Sequence, residues 1–344
     1  MRLPHCLSLA AALTAALALS PVSAIGEDTG FSTWTPGEGG TSGPPRRGGG
    51  LENVTVAPGT DIATITEALK RVRPGGVITV MPGVYREDVR VGKAVTIRGQ
   101  SRGSARAEIQ PSEAGACLYV EPDLIGAVSV SGMSFKVTAL YGSVPCIVVD
   151  GGVFTLRDSH VTARDNIPGV LLRAGLAHIE NSLIEGGRFG VLVEARSAGA
   201  GDFYVIDNEL TGNMTGLRVQ GPGRVNAFGN KIVSNASDGI VLFRGGGTFI
   251  ANEIAENGAN GVVLNAGVLS PRFVSNRIAS NTLAGIYVPV GAQGEIVRNE
   301  ISGNGHKAFR CEQSPCPTFA DNMVSGNLED PEDDRGRRRG GLFD

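Results

Sequence analysis

The chain has 344 residues, with 31 Lys and Arg against 34 Asp and Glu and a formal net charge of −3. A balance this close to neutrality does not favour nucleic acid or an anionic membrane as partner. Glycine contributes 50 residues, roughly twice the average usage of about 7%, which is typical of a fold with many turns.

The first 24 residues have the pattern of a secretory signal peptide. Arg2 supplies the positive start, LSLAAALTAALAL is the apolar run, and Val22-Ser23-Ala24 is a small-residue cleavage site. The run is too short and too rich in Ala for a membrane span, and no other stretch is long enough. The pattern predicts a secreted or periplasmic protein after cleavage near Ala24.

Two further segments lack a core-forming pattern. Residues 25–50 are rich in Gly and Pro, which predicts a disordered linker, and residues 329–344 form an acidic block followed by Arg residues, which predicts a disordered charged tail. Order is expected over residues 51–328. Near its start, DIATITEALKRVRPGG at 61–76 predicts a short helix capped by Asp61 or Thr64 and stopped by Pro-Gly-Gly.

A repeat of about 23 residues dominates the second half of the chain. Each unit contains Asn, any residue, an apolar residue, two more residues and a second Asn. The leading Asn residues step by 22, 22, 24, 23 and 23, and Asn181 resembles an earlier, degenerate copy 27 residues before the first. They are Asn208, Asn230, Asn252, Asn276, Asn299 and Asn322. A fixed period in this range predicts a stacked repeat.

The apolar runs within each unit are too short for helices and are bounded by Gly and Asn. The leucine-rich, ankyrin and tetratricopeptide patterns are absent, which leaves a parallel β-helix with one coil per unit. Stacked coils would place the Asn side chains in a ladder and use their tolerance of left-handed backbone. A second turn is assigned to the repeat glycines Gly190, Gly216, Gly239, Gly261 and Gly285.

Four cysteines remain after the signal peptide. An even number in an exported chain predicts disulfides. Cys311 and Cys316 flank a Pro-containing loop and are expected to pair, whereas Cys117 and Cys146 open similar runs and are expected to stack on neighbouring coils. The alternative is four buried free thiols. No metal-binding spacing is present, and no cofactor is predicted.

The segment GGVITVMPGVYREDVRV followed by KAVTIRG resembles the opening of right-handed parallel β-helix proteins of the pectin-lyase-like superfamily. NosD-type proteins and proteins with carbohydrate-binding and sugar-hydrolase repeats open similarly. The resemblance covers roughly residues 54–327. It implies an all-β, single-stranded right-handed parallel β-helix of roughly ten coils, with the short helix as an N-terminal cap.

The activities of this superfamily are not supported by matching motifs. Gly83, Tyr85 and Glu87 match a Gly-x-Tyr-x-Glu segment of pectin methylesterases, but the later motifs of those enzymes are missing. The Asp-Pro-His-Asp of mannuronan epimerases and the calcium-binding Asp cluster of pectate lyases are also missing. We therefore expect Gly83, Tyr85 and Glu87 to serve the first coil's turn and packing.

A candidate site comes from aligning the strands that follow each repeat Gly. The second and fourth residues after each Gly should face outward, because side chains alternate along a strand. Outward polar side chains then fall on three successive coils, under the 194–202 loop. Arg suits uronate carboxylates, and a nearby carboxylate can act as acid or base. The predicted substrate-binding residues are Arg173, Arg188, Arg218 and Gln220, and the predicted catalytic carboxylates are Glu194, Asp165 and Glu185. The alternative is a solvated face of ordinary ion pairs.

Two classes of function follow. In the first, a monomer binds polysaccharide, including acidic polysaccharide, along the solenoid side and modifies it as a lyase, epimerase or hydrolase. In the second, it is a non-catalytic periplasmic or cell-surface binding or assembly protein of the NosD type. Fold does not decide between them, so the sequence leaves open whether the protein is an enzyme.

Overall fold

The computed structural model describes residues 50–112, 115–138, 144–164 and 166–330. The chain winds as a right-handed parallel β-helix in which three parallel sheets run along the solenoid, and each complete coil contributes one strand to each sheet in turn. Roughly ten coils were predicted, and sheet 1 contains twelve strands among the described residues. The signal-peptide prediction and, apart from Gly50, the linker prediction fall on residues that the structure does not describe, as does the tail beyond Asp330.

Sheet 1 contains the first strand of each coil. In stacking order, its strands are Leu51–Val56, Val72–Val80, Val95–Gly99, Ala127–Ser131, Val153–Arg157, Gly175–Glu180, Gly201–Ile206, Arg224–Phe228, Gly246–Ile250, Arg272–Val274, Glu295–Val297 and Thr318–Ala320.

Sheet 2 follows after a sharp turn. Its strands are Gly83–Arg86, Ala105–Gln110, Met133–Lys136, His160–Thr162, Leu183–Glu185, Glu209–Thr211, Lys231–Val233, Glu253–Ala255, Arg277–Ala279, Glu300–Ser302 and Met323–Ser325, with Ser101–Arg102 pairing antiparallel to the second. Sheet 3 completes each coil. Its strands are Val89–Val91, Leu118–Val120, Ile147–Val149, Val170–Leu172, Phe189–Glu194, Thr215–Gln220, Ile240–Leu242, Val262–Leu264, Ile286–Val288 and Phe309–Cys311.

Alternation along each short strand directs one set of side chains into the solenoid. In sheet 3, for example, Leu217 and Val219 are fully buried, whereas Arg218 and Gln220 between them point outward. Because like residues stack on like at about 4.8 Å, the interior consists of continuous apolar columns. In sheet 1 one column includes the parallel, stacked rings of Phe249 and Phe273, with centroids 4.4 Å apart.

The Asn ladder is present and is double, one row on each side of sheet 2. In the first row, the Nδ2 of Asn252 donates to the Oδ1 of Asn276 and the carbonyl of Ala227, both at 2.9 Å. In the second row, Asn257 bonds to Asn281 in the same way. These carboxamides are buried, so the ladder satisfies polar groups that water cannot reach.

The position of Asn181 differs from the prediction. Ser182 occupies the ladder position in that coil, because its backbone N–H donates to the Oδ1 of Asn208 at 3.0 Å. Asn181 is one residue earlier, is exposed and bonds to Asp158. It has a positive φ of 45°, so the left-handed residue of this turn precedes the ladder residue and is not the ladder residue itself.

The repeat glycines serve close approach and not a left-handed turn. A Cβ on Gly239 would lie 2.7 Å from the carbonyl oxygen of Gly261 and 2.8 Å from the Nδ2 of Asn257. Cys117 and Cys146 occupy this column in two earlier coils, next to Gly169. They form one disulfide, and Cys311 and Cys316 form another, which confirms both predicted pairs.

Helix α1 spans Ile65–Arg71, is capped by Thr64 and covers the N-terminal end of the solenoid. The carboxylate of Glu87 accepts hydrogen bonds from the backbone N–H groups of Ile65 and Thr66 at 2.7 and 2.8 Å. The hydroxyl of Tyr85, which is buried, donates to the Met81 carbonyl at 2.7 Å. These contacts give the Gly-x-Tyr-x-Glu segment the packing role expected for it. Within the described residues, no helix is long and apolar enough to span a membrane.

Candidate functional site

The outer face of sheet 3 carries a continuous polar chain across successive coils. The Tyr119 hydroxyl donates to the Oδ2 of Asp150 at 2.7 Å, and Nη1 of Arg173 donates to the other oxygen at 3.2 Å. Nε of Arg173 donates to Oε2 of Glu194 at 3.3 Å, and Nε2 of Gln220 donates to Oε1 of Glu194 at 3.2 Å. Each side chain is therefore held by a neighbour one coil away.

The polar chain of side chains ends at Arg218, which is surrounded by aromatic rings and a second cation. Its Nε donates to Oε1 of Gln220 at 3.0 Å, and its guanidinium carbon lies 5.2 Å from the ring centroid of Phe189 and 5.6 Å from that of Phe243. Arg188 lies 5.3 Å from the same Phe189 ring. Two cations thus share one aromatic ring, an arrangement that cation–π attraction supports.

Burial, with a contribution from the neighbouring charge of Arg188, lowers the pKa of Arg218 from its usual value. Arginine is not deprotonated in proteins, so Arg218 remains a cation. Among the described residues, no carboxylate lies within ion-pair distance of Arg218 or Arg188, and the carboxylate of Asp238 acts on Arg218 only over a longer range. An anionic ligand would therefore relieve the repulsion between the two cations and find free N–H donors.

The local sequence positions these side chains rigidly. Arg218 and Gln220 lie two residues apart on one strand, so both point outward. The strand is held in register by parallel pairing of Arg218 with Leu192 on one side and Val241 on the other. We call Arg173, Arg188, Phe189, Glu194, Arg218, Gln220 and Phe243 the Arg–Phe face.

A cleft of about 360 Å³ adjoins this face on the side of the N-terminal coils. Arg90, Tyr119 and Arg173 contribute to its lining, together with apolar side chains such as Val148. The guanidinium carbon of Arg90 lies 4.9 Å from the Tyr119 ring centroid, a second cation–aromatic pair. The outer side of sheet 3 thus offers two such pairs joined by the polar chain.

The structure brings together five of the seven predicted site residues. Glu194, Arg218 and Gln220 lie on adjacent strands, Arg173 directly follows the next strand of the sheet, and Arg188 flanks them over Phe189. Glu185 differs, because it lies on sheet 2, where its Oε1 is 2.8 Å from Nε2 of His160. Asp165 falls on a residue that the structure does not describe.

Sequence reasoning missed Asp150, Tyr119 and Phe189. Asp150 and Tyr119 follow Cys146 and Cys117, which replace Gly in the aligned column, so an alignment anchored on Gly passed over both coils. Phe189 precedes its Gly and was not aligned. An alignment that treated Cys117 and Cys146 as substitutes for Gly would have included Tyr119 and Asp150.

The chemistry available to Glu194 follows from its partners. Each of its oxygens accepts one hydrogen bond, from Arg173 and from Gln220, which orients the carboxylate and leaves a further acceptor site on each oxygen. The arrangement is suited to binding and orientation. In the described part of the chain, no group of three or more His, Cys, Asp or Glu side chains is placed to hold a metal ion.

Comparisons with known proteins agree with this architecture. Residues 189–330 match the family model described as the right handed beta helix region. The family model and the three parallel sheets together identify the fold as a right-handed parallel β-helix. None of the curated protein sequences matches it.

Among solved structures, the A-module of the mannuronan C-5 epimerase AlgE4 from Azotobacter vinelandii has a TM-score of 0.51 and 14% identity, covering 74% of this chain and 87% of the module. A single-substitution variant of the periplasmic alginate epimerase AlgG also has a TM-score of 0.51, with 12% identity over 80% of this chain and 84% of AlgG. A double variant of AlgG has a TM-score of 0.50 and 12% identity, covering 79% and 83%. At these identities the similarity shows the fold alone.

Proposed function

We propose that this protein is exported and binds acidic polysaccharide on the outer side of sheet 3, with the Arg–Phe face as the principal contact. The observation that carries the proposal is Arg218, a guanidinium between Phe189 and Phe243 with free donors and, among the described residues, no carboxylate within ion-pair distance. Uronate units combine a carboxylate, which matches the fork of Arg, with a ring face that packs against aromatic side chains.

The extended shape of the face supports a polymer over a small ligand. Arg90 and Arg218, the outer members of the two cation–aromatic pairs, lie five strands apart in sheet 3. At about 4.8 Å per strand this separation is roughly 24 Å along the solenoid. Asp150, Glu194 and Gln220 supply hydrogen-bond acceptors between them, which suits the hydroxyl groups of sugars.

Export is consistent with the two disulfides, which persist in oxidising compartments. The alginate epimerases whose structures are similar act on polysaccharide, as their names state. From these epimerases we carry over to this chain only the class of ligand, polysaccharide, and not the epimerase activity. Binding is the proposed function; chemistry at Glu194 would be an additional one.

The test is affinity electrophoresis and calorimetry of the mature protein with polyuronates, sulfated glycans and neutral glycans. We expect retention by polyuronates and a loss of affinity of about tenfold or more for Arg218→Ala, the scale of a charge-assisted hydrogen bond. Arg218→Lys should recover only part of it, because Lys lacks the planar fork.

Arg277→Ala is the matched control. Arg277 is also half-exposed but lies on sheet 2, where it pairs with Glu253 at 2.8 Å, so its loss should leave binding unchanged. Equal effects of the two substitutions, or no retention by any glycan, would exclude the Arg–Phe face as a polysaccharide site.

Product formation is followed in the same samples through unsaturated-uronate absorbance, reducing ends and the uronate composition of the polymer. New double bonds, new ends or epimerised units that disappear in Glu194→Gln would add an enzymatic activity to the binding. Retention without products would identify a binding protein.

A further inference from the structure

One outward-facing column of sheet 3 has free cations at two positions within the described residues. Parallel pairing places Arg90 on the first strand of this column and Arg218 on the sixth. No carboxylate of the described residues lies within ion-pair distance of either guanidinium, and each guanidinium lies over an aromatic ring. Arg310, on the tenth strand, is different because it pairs with Glu312 at 2.6 Å. We call Arg90 and Arg218, with their rings, the two cation stations.

The column carries no charge between the two stations. The intervening positions are Tyr119, Val148, Leu171 and Leu192. The last three are almost fully buried although they face outward, because they pack against Tyr119 and Phe189 and against each other. A ligand that lies along this column therefore meets cations at its two ends and not in the middle.

The neighbouring outward column is acidic over the same coils. Glu121, Asp150 and Glu194 lie on it together with a single cation, Arg173. Arg173 is already engaged, since it pairs with Asp150 at 3.2 Å and with Glu194 at 3.3 Å. Three carboxylates and one guanidinium, −3 and +1, give these four residues a formal charge of −2. We call them the acidic stretch.

The acidic stretch repels a carboxylate and suits a neutral sugar. Asp150 is mostly covered, with its side chain 8% exposed, whereas the side chain of Glu194 is 40% exposed. A polymer that crosses the face therefore meets the Glu194 carboxylate directly. Each oxygen of Glu194 keeps a further acceptor site, which a sugar hydroxyl can fill, while a like charge placed there is unfavourable.

We propose that the ligand is an acidic heteropolysaccharide in which several neutral sugar units separate the units that carry carboxylates, and not a homopolymer of uronate. This inference rests on the proposed function, because it concerns which acidic polysaccharide the outer side of sheet 3 selects. The stations are five strands apart, roughly 24 Å at about 4.8 Å per strand. A pyranose unit of an extended polysaccharide advances by a similar distance, so the two bound carboxylates lie roughly five units apart.

The selection combines two attractive contacts with a repulsive one. A homopolyuronate can reach both stations, but it also places carboxylates against the acidic stretch. A polymer with spaced carboxylates places hydroxyl groups there and still engages both stations. Because the two carboxylates belong to one molecule, the second contact forms at a high effective concentration and raises the overall affinity.

The experiment compares oligosaccharides of equal length by calorimetry. One is the octasaccharide of deacylated gellan, in which neutral sugars separate the glucuronates, and the other is the galacturonate octamer, in which every unit is acidic. We expect the parent protein to bind the gellan octasaccharide about fivefold or more tightly, although the galacturonate carries more charge.

A gellan tetrasaccharide with a single glucuronate measures binding at one station. Arg90→Ala should lower the affinity for the gellan octasaccharide about tenfold, the scale of a charge-assisted hydrogen bond. The octasaccharide should then bind no more tightly than the tetrasaccharide. An octasaccharide affinity that is unchanged in this variant would overturn the two-station arrangement.

A double variant tests the repulsion directly. Glu121→Gln with Glu194→Gln removes two charges from the acidic stretch and keeps the shape of both side chains. It should raise the affinity for the galacturonate octamer about fivefold or more, a gain that damage to the structure would not produce. The matched control is Glu209→Gln with Glu300→Gln. Both residues are exposed on sheet 2, so the net charge changes equally and the ratio of the two affinities should stay as in the parent.

The outcomes separate this proposal from the proposed function. Equal or tighter binding of the galacturonate octamer by the parent would overturn the proposal, and so would a sheet 3 double variant that keeps the parent's preference. In either case, binding that depends on Arg218 would leave the proposed function intact. If neither oligosaccharide binds, the proposed function is wrong and this proposal is wrong with it.

Discussion

The Asn ladder provides a sharp test of how the repeat is stabilised. Asn252 is almost fully buried, and its side chain takes part in four hydrogen bonds: it donates to Ala227 and Asn276, and accepts from the backbone N–H and the Nδ2 of Asn230. Replacement by Ala leaves the carbonyl of Ala227 and the N–H of Asn230 without these partners in a region that water does not reach.

At about 1–3 kcal/mol for each of these two buried groups left unsatisfied, Asn252→Ala should lower the free energy of unfolding by roughly 2–6 kcal/mol. The matched control is Asn181→Ala. Asn181 is exposed, has one hydrogen bond, to Asp158, and adopts a left-handed backbone that Ala251 also adopts in a later coil. Its replacement should cost about 1 kcal/mol.

The assay is urea unfolding followed by far-ultraviolet circular dichroism, with equal slopes required before midpoints are compared. A cost for Asn181→Ala that equals or exceeds that of Asn252→Ala would refute the placement of Ser182 in the ladder. A cost below about 1 kcal/mol for Asn252→Ala would refute the view that buried amide satisfaction stabilises the stack.

Three further predictions concern the coil and its cap, with stability measured by the same urea titration. Glu87→Ala removes the acceptor of the first α1 N–H groups and should cost about 1–2 kcal/mol; Glu87→Gln should recover part of it. Gly239→Ala pushes a methyl group towards the Nδ2 of Asn257 and should cost about 1–3 kcal/mol, whereas a neutral result would show that the coils can separate. Loss of the Cys117–Cys146 disulfide, which links residues 29 apart, should cost about 3.5 kcal/mol by the loop-entropy relation, checked by comparing the double Ser variant with the oxidised parent.

Much of the fold follows from local sequence because a solenoid repeats a local rule. The Asn spacing, the short apolar runs and the repeat Gly recur from coil to coil. Each coil therefore has the same order of strands and turns, and it contacts mainly its neighbours. The helix cap at Thr64 and the two disulfide pairs were also predictable from local sequence. The misplacement of Asn181 shows the limit, since a shift of one residue in a degenerate coil changes which side chain enters the ladder.

The candidate site was only partly predictable, because it joins residues of different coils. Strand alternation by itself determined that Arg218, Gln220, Arg173 and Glu194 point outward. The tertiary structure decided the rest: Asp150 bonds to Arg173 from a coil in which Cys replaces Gly, and Glu185 lies on sheet 2. The sequence thus determined the coil, since its pattern is local, whereas the partners of each outward side chain depend on the stacking register and on loop lengths between coils.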